Sequence, residues 1–208
     1  MNVALLDTQD ANLQLWQGGQ ALTSPGYAWL DGKDYQFGQA ARASARLHPR
    51  SINTRYWWQL SVEPLQPSLG PARHTADLVH AHLKQLHAES GQPGEMLLAV
   101  SSSASRDQLA LLLGIVQQCP FDAVGLVNRS VALGSAYPGS GRLFHLEIQL
   151  HQALLTELSR EGGEVSVAKS TPIPGCGLLQ LQERLVEQVA ASFIRQTMIT
   201  TPQNAMTM

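Results

Sequence analysis

What this sequence lacks first is an excess of charge of either sign. Its 208 residues hold 14 Lys and Arg against 16 Asp and Glu, a formal charge of -2. No Lys/Arg cluster with interleaved aromatics stands out, so the electrostatic footprint of a nucleic-acid surface is missing and no nucleic-acid partner is expected. Cysteine is scarce as well. Cys119 and Cys176 are far apart and neither belongs to a C-x-x-C, which argues against a disulfide framework or a thiolate metal site and leaves two buried thiols as the expectation. No uninterrupted apolar run is long enough to cross a bilayer. The first apolar stretch is broken by Asp7 and comes after no basic segment, unlike a secretion signal. A cytoplasmic protein without a membrane partner is expected. G-x-x-x-x-G-K-[ST] and the dinucleotide fingerprint are absent. Ser101-Ser102-Ser103 lacks the flanking glycines of a nucleophile elbow, so a serine-rich helix entry is expected there.

What is present is an ordered succession of short periodic segments. Residues 3–6, 13–16 and 27–30 read as antiparallel strands separated by polar, Gly-rich turns. Asp31-Gly32 predicts a tight hairpin into 35–37, because glycine accepts the positive φ of a primed turn. A short helix is expected over 39–47, ended by Pro49, and the proline-bearing stretch 61–71 reads as loop. Tyr56-Trp57-Trp58 reads as core rather than as a surface anchor. Residues 75–89 repeat Leu78, Val79, Leu83 and Leu86 on one helical face.

Residues 96–100 form the continuous apolar run of a strand covered on both faces. Ser105 with Gln108 is a capping box, predicting a helix to about 118 that is apolar almost all round and hence buried. A strand over 121–127 and a small-residue helix over 128–137 complete an α/β alternation with a partly parallel sheet. A second set of strands is expected over 143–150, 153–158 and 164–168. A last helix over 178–196 carries Leu181, Leu185, Val189 and Phe193 on one face.

His74, His80, His82 and His87 crowd one helix, but His80 and His82 point to different faces and the spacing two helical ligands need is missing. Solvated or half-buried histidines, and no metal, are expected.

The order of elements, with several local strings, resembles the nucleotide-binding domain of DnaK-type chaperones in the actin-like ATPase superfamily. Ser24-Pro25-Gly26-Tyr27-Ala28 is similar to the second edge of that family's first meander, and Phe37-Gly38-Gln39-Ala40-Ala41 to its G-x-x-A element. The segment from His48-Pro49 through Asn53-Thr54-Arg55-Tyr56-Trp57 resembles the family's P-x-N-T stretch and the residues after it. Leu98-Ala99-Val100-Ser101, Ser105-Arg106-Asp107-Gln108 and the run from Asn128 to Tyr137 resemble V-x-V-P, D-x-Q-R and N-E-P-x-A-A-x-x-A-Y. The resemblance covers nearly the whole chain. It implies an α/β, ribonuclease H-like fold, a mixed sheet with flanking helices. A first lobe would span 1–141, the start of a second lobe 142–198, and a flexible tail 199–208.

It also implies where a nucleotide would sit. Two D-x-G-x-T hairpins hold phosphates and magnesium in that family, with glycine admitting backbone N–H groups and the acid orienting the hydrated metal. Here the first reads Asp7-Thr8-Gln9-Asp10-Ala11, keeping the acid but placing Gln9 where glycine belongs and adding Asp10, whose charge would repel a polyphosphate. The second falls at 146–152, where Glu147 stands for the acid and no glycine remains. Leu60 or a neighbour occupies the region of the catalytic lysine, Arg129 replaces the N-E-P acid, and Ser101 replaces the V-P proline. Gly175 and Gly177 correspond to the Gly-Gly before the final helix.

Asp7, Thr8, Glu147, Gly175 and Gly177 are therefore the candidate cofactor-binding residues if a nucleotide binds at all, and no catalytic residue is assigned. The leading expectation is a non-catalytic, chaperone-like interaction or scaffold protein with degenerate phosphate loops, no cofactor, and a protein partner or self-association. The alternative is a working ATPase that uses ATP with magnesium and takes its adenine contacts from elements outside this chain. A third expectation is an assembly partner that completes its second lobe with another chain.

Overall fold

The computed structural model describes residues 3–139 and 141–199. Strand β1 (Ala4–Asp7) pairs antiparallel with β2 (Leu13–Gln17), which pairs antiparallel with β3 (Gln20–Ser24). Gly18 and Gly19 join β2 to β3 at φ 56 and 81. Two successive left-handed residues match the twist of the flanking strands in a two-residue hairpin. The sequence pattern places no strand over 20–24, because along β3 only Ser24 is fully buried and its other residues are exposed or half-buried. Strands β4 (Ala28–Asp31) and β5 (Asp34–Phe37) form the expected hairpin around Gly32, whose φ is 64, and β6 (Ile52–Asn53) pairs with β4 on the other side. Helix α1 (Gly38–Ser44) comes directly after β5, and Pro49 opens a single 3-10 turn.

The segment 61–71 is not the loop its prolines suggest. Strand β7 (Pro64–Leu69) pairs with β8 (Ala72–His74) across Gly70, which turns the chain at φ 60. A two-stranded ribbon has an unpaired side on each strand, so a proline without an N–H costs it little.

Helix α2 (Thr75–Glu89) leads into β9 (Glu95–Val100), then α3 (Arg106–Val116), β10 (Asp122–Asn128) and α4 (Arg129–Ala136). Strands β9 and β10 lie parallel to one another and to β1, giving a five-stranded sheet in the order β10-β9-β1-β2-β3. Leu6, Leu13 and Leu15 from the meander, Leu98 from β9 and Leu78, Leu83 and Leu86 from α2 share one buried cluster. Each such leucine contributes about 1.5–3 kcal/mol by leaving water. The α3 capping box is present, with Gln108 N–H donating to Ser105 Oγ at 3.2 Å and Ser105 N–H to Gln108 Oε1 at 3.0 Å. Helix α3 is amphipathic rather than buried throughout, since only Leu112, Ile115 and Val116 are fully covered.

Tyr56 is fully buried and Trp57 packs against the same cluster, as expected of core aromatics. His82 departs from the expectation of solvated histidines. It is fully buried, stacked on Phe37, and hydrogen-bonded to Tyr56, Trp57 and Ser24. His87 is buried against Phe121. Cys119 and Cys176 are free and half-buried rather than buried.

A separate antiparallel sheet, in the order β11-β12-β13, is built from β11 (Leu143–Ile148), β12 (Gln152–Glu161) and β13 (Glu164–Pro174). Gly162 and Gly163 close its second hairpin at φ 59 and 89. Helix α4 packs on all three strands. Helix α5 (Leu178–Ile199) has the predicted apolar row, but that row is uncovered, with Leu185 61% and Phe193 66% exposed. No helix among the described residues is long and apolar enough to cross a membrane. The tail expected over 199–208 lies, from 200 onward, outside the described residues.

Candidate functional site

Two turns meet where the sheets approach each other. The first, residues 8–12, joins β1 to β2; the second, residues 149–151, joins β11 to β12. Each turn takes up polar groups of the other. Leu150 N–H donates to Asp10 Oδ1 at 2.9 Å, and the Gln9 side-chain amide donates to the carbonyl of Ile148 at 2.5 Å. Within the first turn, Gln9 N–H donates to Asp7 Oδ1 at 3.2 Å and Asn12 N–H to Gln9 Oε1 at 3.0 Å. Within the second, Gln149 N–H donates to the carbonyl of Gln152 at 2.9 Å. The start of α5 is spent in the same way, because Leu178 and Leu179 donate to the carbonyls of Gln149 and Leu150 at 2.8 and 3.1 Å. Backbone donors that a helix N-terminus usually offers to an anion are thereby occupied by the protein itself.

The predicted residues fall into three groups. Asp7 and Glu147 converge on one side chain, Arg129. Its Nε lies 3.0 and 2.8 Å from the two Asp7 oxygens and its Nη1 lies 3.5 Å from Glu147 Oε2. Thr8 turns away, its hydroxyl donating to the carbonyl of Ala99 at 2.9 Å. Gly175 and Gly177 belong to the approach of α5. Gly175 takes a φ of 69, and a Cβ on Gly177 would collide with the backbone of Leu150, His151 and Gln152.

Arg129 is placed by local sequence, since Asn128 caps α4 by accepting from Val131 N–H at 3.1 Å and so sets Arg129 at the first helical position. Glu147 is buried and accepts from Gln149 Nε2 at 2.7 Å. His145 lies beside Arg129, with Nε2 3.4 Å from Arg129 Nη1 and Nδ1 2.8 Å from Ser130 Oγ. The guanidinium is a pure donor, so Nε2 accepts and Nδ1–H donates to the serine. Burial, and then the Arg129 charge, push the His145 pKa down and keep the ring neutral. Ser130 and His145 do not make a nucleophile and base: Ser130 is completely buried, and the far nitrogen of the ring meets a cation where a triad has a carboxylate.

Asp10 was legible in the sequence only as an extra negative charge. It is 5% exposed, burial and then the nearby Glu147 charge raise its carboxyl to about 6, and its Oδ2 has no hydrogen-bond partner. It lines a cavity of about 480 Å³ between the two sheets, whose wall includes Trp57, Trp58 and the Ser101–Ser103 turn. Gln149 Nε2 holds that turn by donating to Ser101 Oγ at 2.8 Å and Ser103 Oγ at 3.2 Å. Gln149 and Arg129 thus add to the contacts that Gln9 and Asp10 make between the sheets. Neither belongs to a residue type whose role could be read from spacing alone. Among the described residues no group of His, Cys, Asp and Glu is arranged to hold a metal ion.

These elements define a mixed α/β protein with a polar, internally paired junction between two sheets. No protein-family model matches the chain, and no curated protein matches it.

Proposed function

We propose that this chain is a divergent actin-like protein of the DnaK type, with a first lobe over 1–141 and the start of a second over 142–198. In this reading an internal ion bridge has replaced the nucleotide centre, and the protein works in the cytoplasm as a non-catalytic interaction or scaffold module. The strand order β10-β9-β1-β2-β3, with β9 and β10 parallel to β1 and a second meander after α4, supports the fold part of the reading. The observation that carries the functional part is Arg129 between Asp7 and Glu147. Both acids that would orient magnesium are engaged by a fixed cation, and the turn amides that would meet phosphate donate to carbonyls and to Asp10. The residues present do not fit a magnesium polyphosphate.

Interaction through the second-lobe surface is supported by the uncovered apolar row of α5, which continues through Val186, Val189 and Ile194. Monomeric proteins rarely leave so contiguous a patch open. Its occupant in this reading is a second copy of the chain. Glu183 and Glu187 balance Arg184 and Arg195 along the helix, so two copies meet without net repulsion.

Calorimetric titration with ATP and ADP in magnesium, with Asp7→Ala as control, tests the reading. No detectable heat is expected from either protein. Low-micromolar binding abolished by Asp7→Ala would overturn it in favour of a working ATPase. Sedimentation across a hundredfold concentration range tests the partner; a dimer lost in Leu185→Glu/Phe193→Glu is expected, and a monomer throughout rejects self-association.

A further inference from the structure

The second sheet has two faces, and α4 covers one of them. Leu143, His145 and Glu147 of β11 stand opposite Leu158, Thr156 and Leu154 of β12, and Gly134 of α4 lies against Leu143, Leu158 and Val165 on that side. Successive side chains of a strand point to opposite faces. Phe144, Leu146 and Ile148 of β11, Leu155 of β12 and Ile173 of β13 therefore share the other face, where they are 36% to 57% exposed. They form one block, since Leu146 is directly opposite Leu155 and Ala153 stands between Ile148 and Ile173. Charge is confined to one end, where Glu157 pairs with Arg142 and faces Lys169. A block of this kind marks an interaction surface.

Helix α5 carries the matching surface. Leu181, Leu185, Val189 and Phe193 recur every four residues with Val186 beside them, while Glu183 and Glu187 fall on the far side of the helix from Leu185. Neither the row nor the centre of the sheet face holds a charge, so closing one on the other strands no buried ion. Within one chain the two stay apart, because α5 packs at its root on Tyr27, Ala41 and Leu150 through Leu178 and Leu179. Pairing α5 with another α5 would leave the sheet face open in both copies. Crossing each helix to the other copy's sheet covers both surfaces and makes the same contact twice, as a two-fold axis requires. The row and the block together offer roughly 800 Å² of apolar surface per copy, about what a stable interface takes from each partner.

We infer that the outer face of the β11–β12–β13 sheet receives α5 of a second copy, so that the chain dimerises by reciprocal exchange of this helix. The inference rests on the self-association proposed above and adds the surface that receives the helix. That surface lies on the face opposite Glu147, away from the ion bridge.

Sedimentation of the full chain across a hundredfold concentration range tests it. Leu146→Glu/Leu155→Glu, on the sheet alone, is expected to weaken the dimer at least a hundredfold. Thr171→Arg, which sets a charge beside Leu155 on the same exposed face, is expected to weaken it at least tenfold and decides if the double variant fails to fold. Mixing the sheet variant with Leu185→Glu/Phe193→Glu restores one intact helix and one intact sheet, so a weaker dimer is expected to return at the top of the range. Sheet variants that dimerise like the parent would overturn the exchange while leaving self-association through α5 in place. A mixture no more associated than its components would overturn it equally. A parent that is monomeric at every concentration overturns both readings.

Discussion

The Nε of Arg129, at the start of α4, contacts both carboxylate oxygens of Asp7, at the end of β1, at 3.0 and 2.8 Å, although 122 positions separate the two residues. This contact joins the parallel core of the first sheet to the helix that underlies the second.

Removing the guanidinium leaves Asp7 with the Gln9 N–H alone and Glu147 buried with Gln149 as its remaining partner. Arg129→Ala is expected to lower stability by about 2 kcal/mol, below the cost of a fully buried pair because Arg129 and Asp7 are each 21% exposed. Arg129→Lys should recover only part of this, since an ammonium cannot reproduce the planar guanidinium geometry. Urea midpoints of both variants, with Asp7→Asn/Arg129→Ala closing a double-mutant cycle, measure the coupling; additive losses would show that the pair contributes nothing.

His82 predicts acid lability. Trp57 Nε1 is a donor only, so Nδ1 of His82 accepts and Nε2–H donates to Ser24 Oγ, 2.7 Å away. Burial depresses its pKa to about 3 from 6.5. For a depressed base the unfolded chain binds the extra proton, so stability is complete above about pH 6.5 and falls as pH drops toward 3, by at most about 5 kcal/mol. His82→Phe should lose stability at pH 7, where three polar partners are stranded, while flattening the acid limb. Melting temperatures from pH 7 to 3.5 check this, and an unchanged acid limb would refute it.

Asp10 carries the opposite sign. With a folded pKa of about 6 against 3.8, the native state holds the proton longer, so its contribution is present below about pH 4 and is lost as pH rises through 6. The difference amounts to at most about 3 kcal/mol. Asp10→Asn should therefore be more stable than the parent at pH 8, with the gap closing by pH 4. Urea midpoints at the two pH values read the difference directly, and a gap independent of pH would rule out the carboxyl as its source.

Gly177 is required by contact rather than by torsion. Gly177→Ala drives a methyl into the backbone of Leu150, His151 and Gln152 and is expected to cost about 2 kcal/mol or more, whereas Gly94→Ala, which meets open space, should be close to neutral. Thermal melts of the two variants side by side provide the comparison.

Local signals in the sequence found their elements where periodicity and capping act within one segment. The α2 repeat, the Ser105–Gln108 box and the Gly32 and Gly162-Gly163 turns are of this kind. Strand β3 and the β7–β8 ribbon escaped because pairing partners, not side-chain alternation, create them. Asp7 and Glu147 were legible as acids at two turns, but their shared partner was not. Arg129 reads along the chain as a lost acid, and only folding shows that it fills the space between the other two. The burial of Asp10 and His82 is likewise set by neighbours many residues distant.

The hydrogen bonds from Leu178 and Leu179 to Gln149 and Leu150 weld the second turn to a helix of 22 residues. At 1.5 Å per residue that helix reaches about 33 Å from an anchored start at the junction of the sheets. The apolar row is thereby presented far from the buried residues Tyr27, Ala41 and Leu150 against which Leu178 and Leu179 pack.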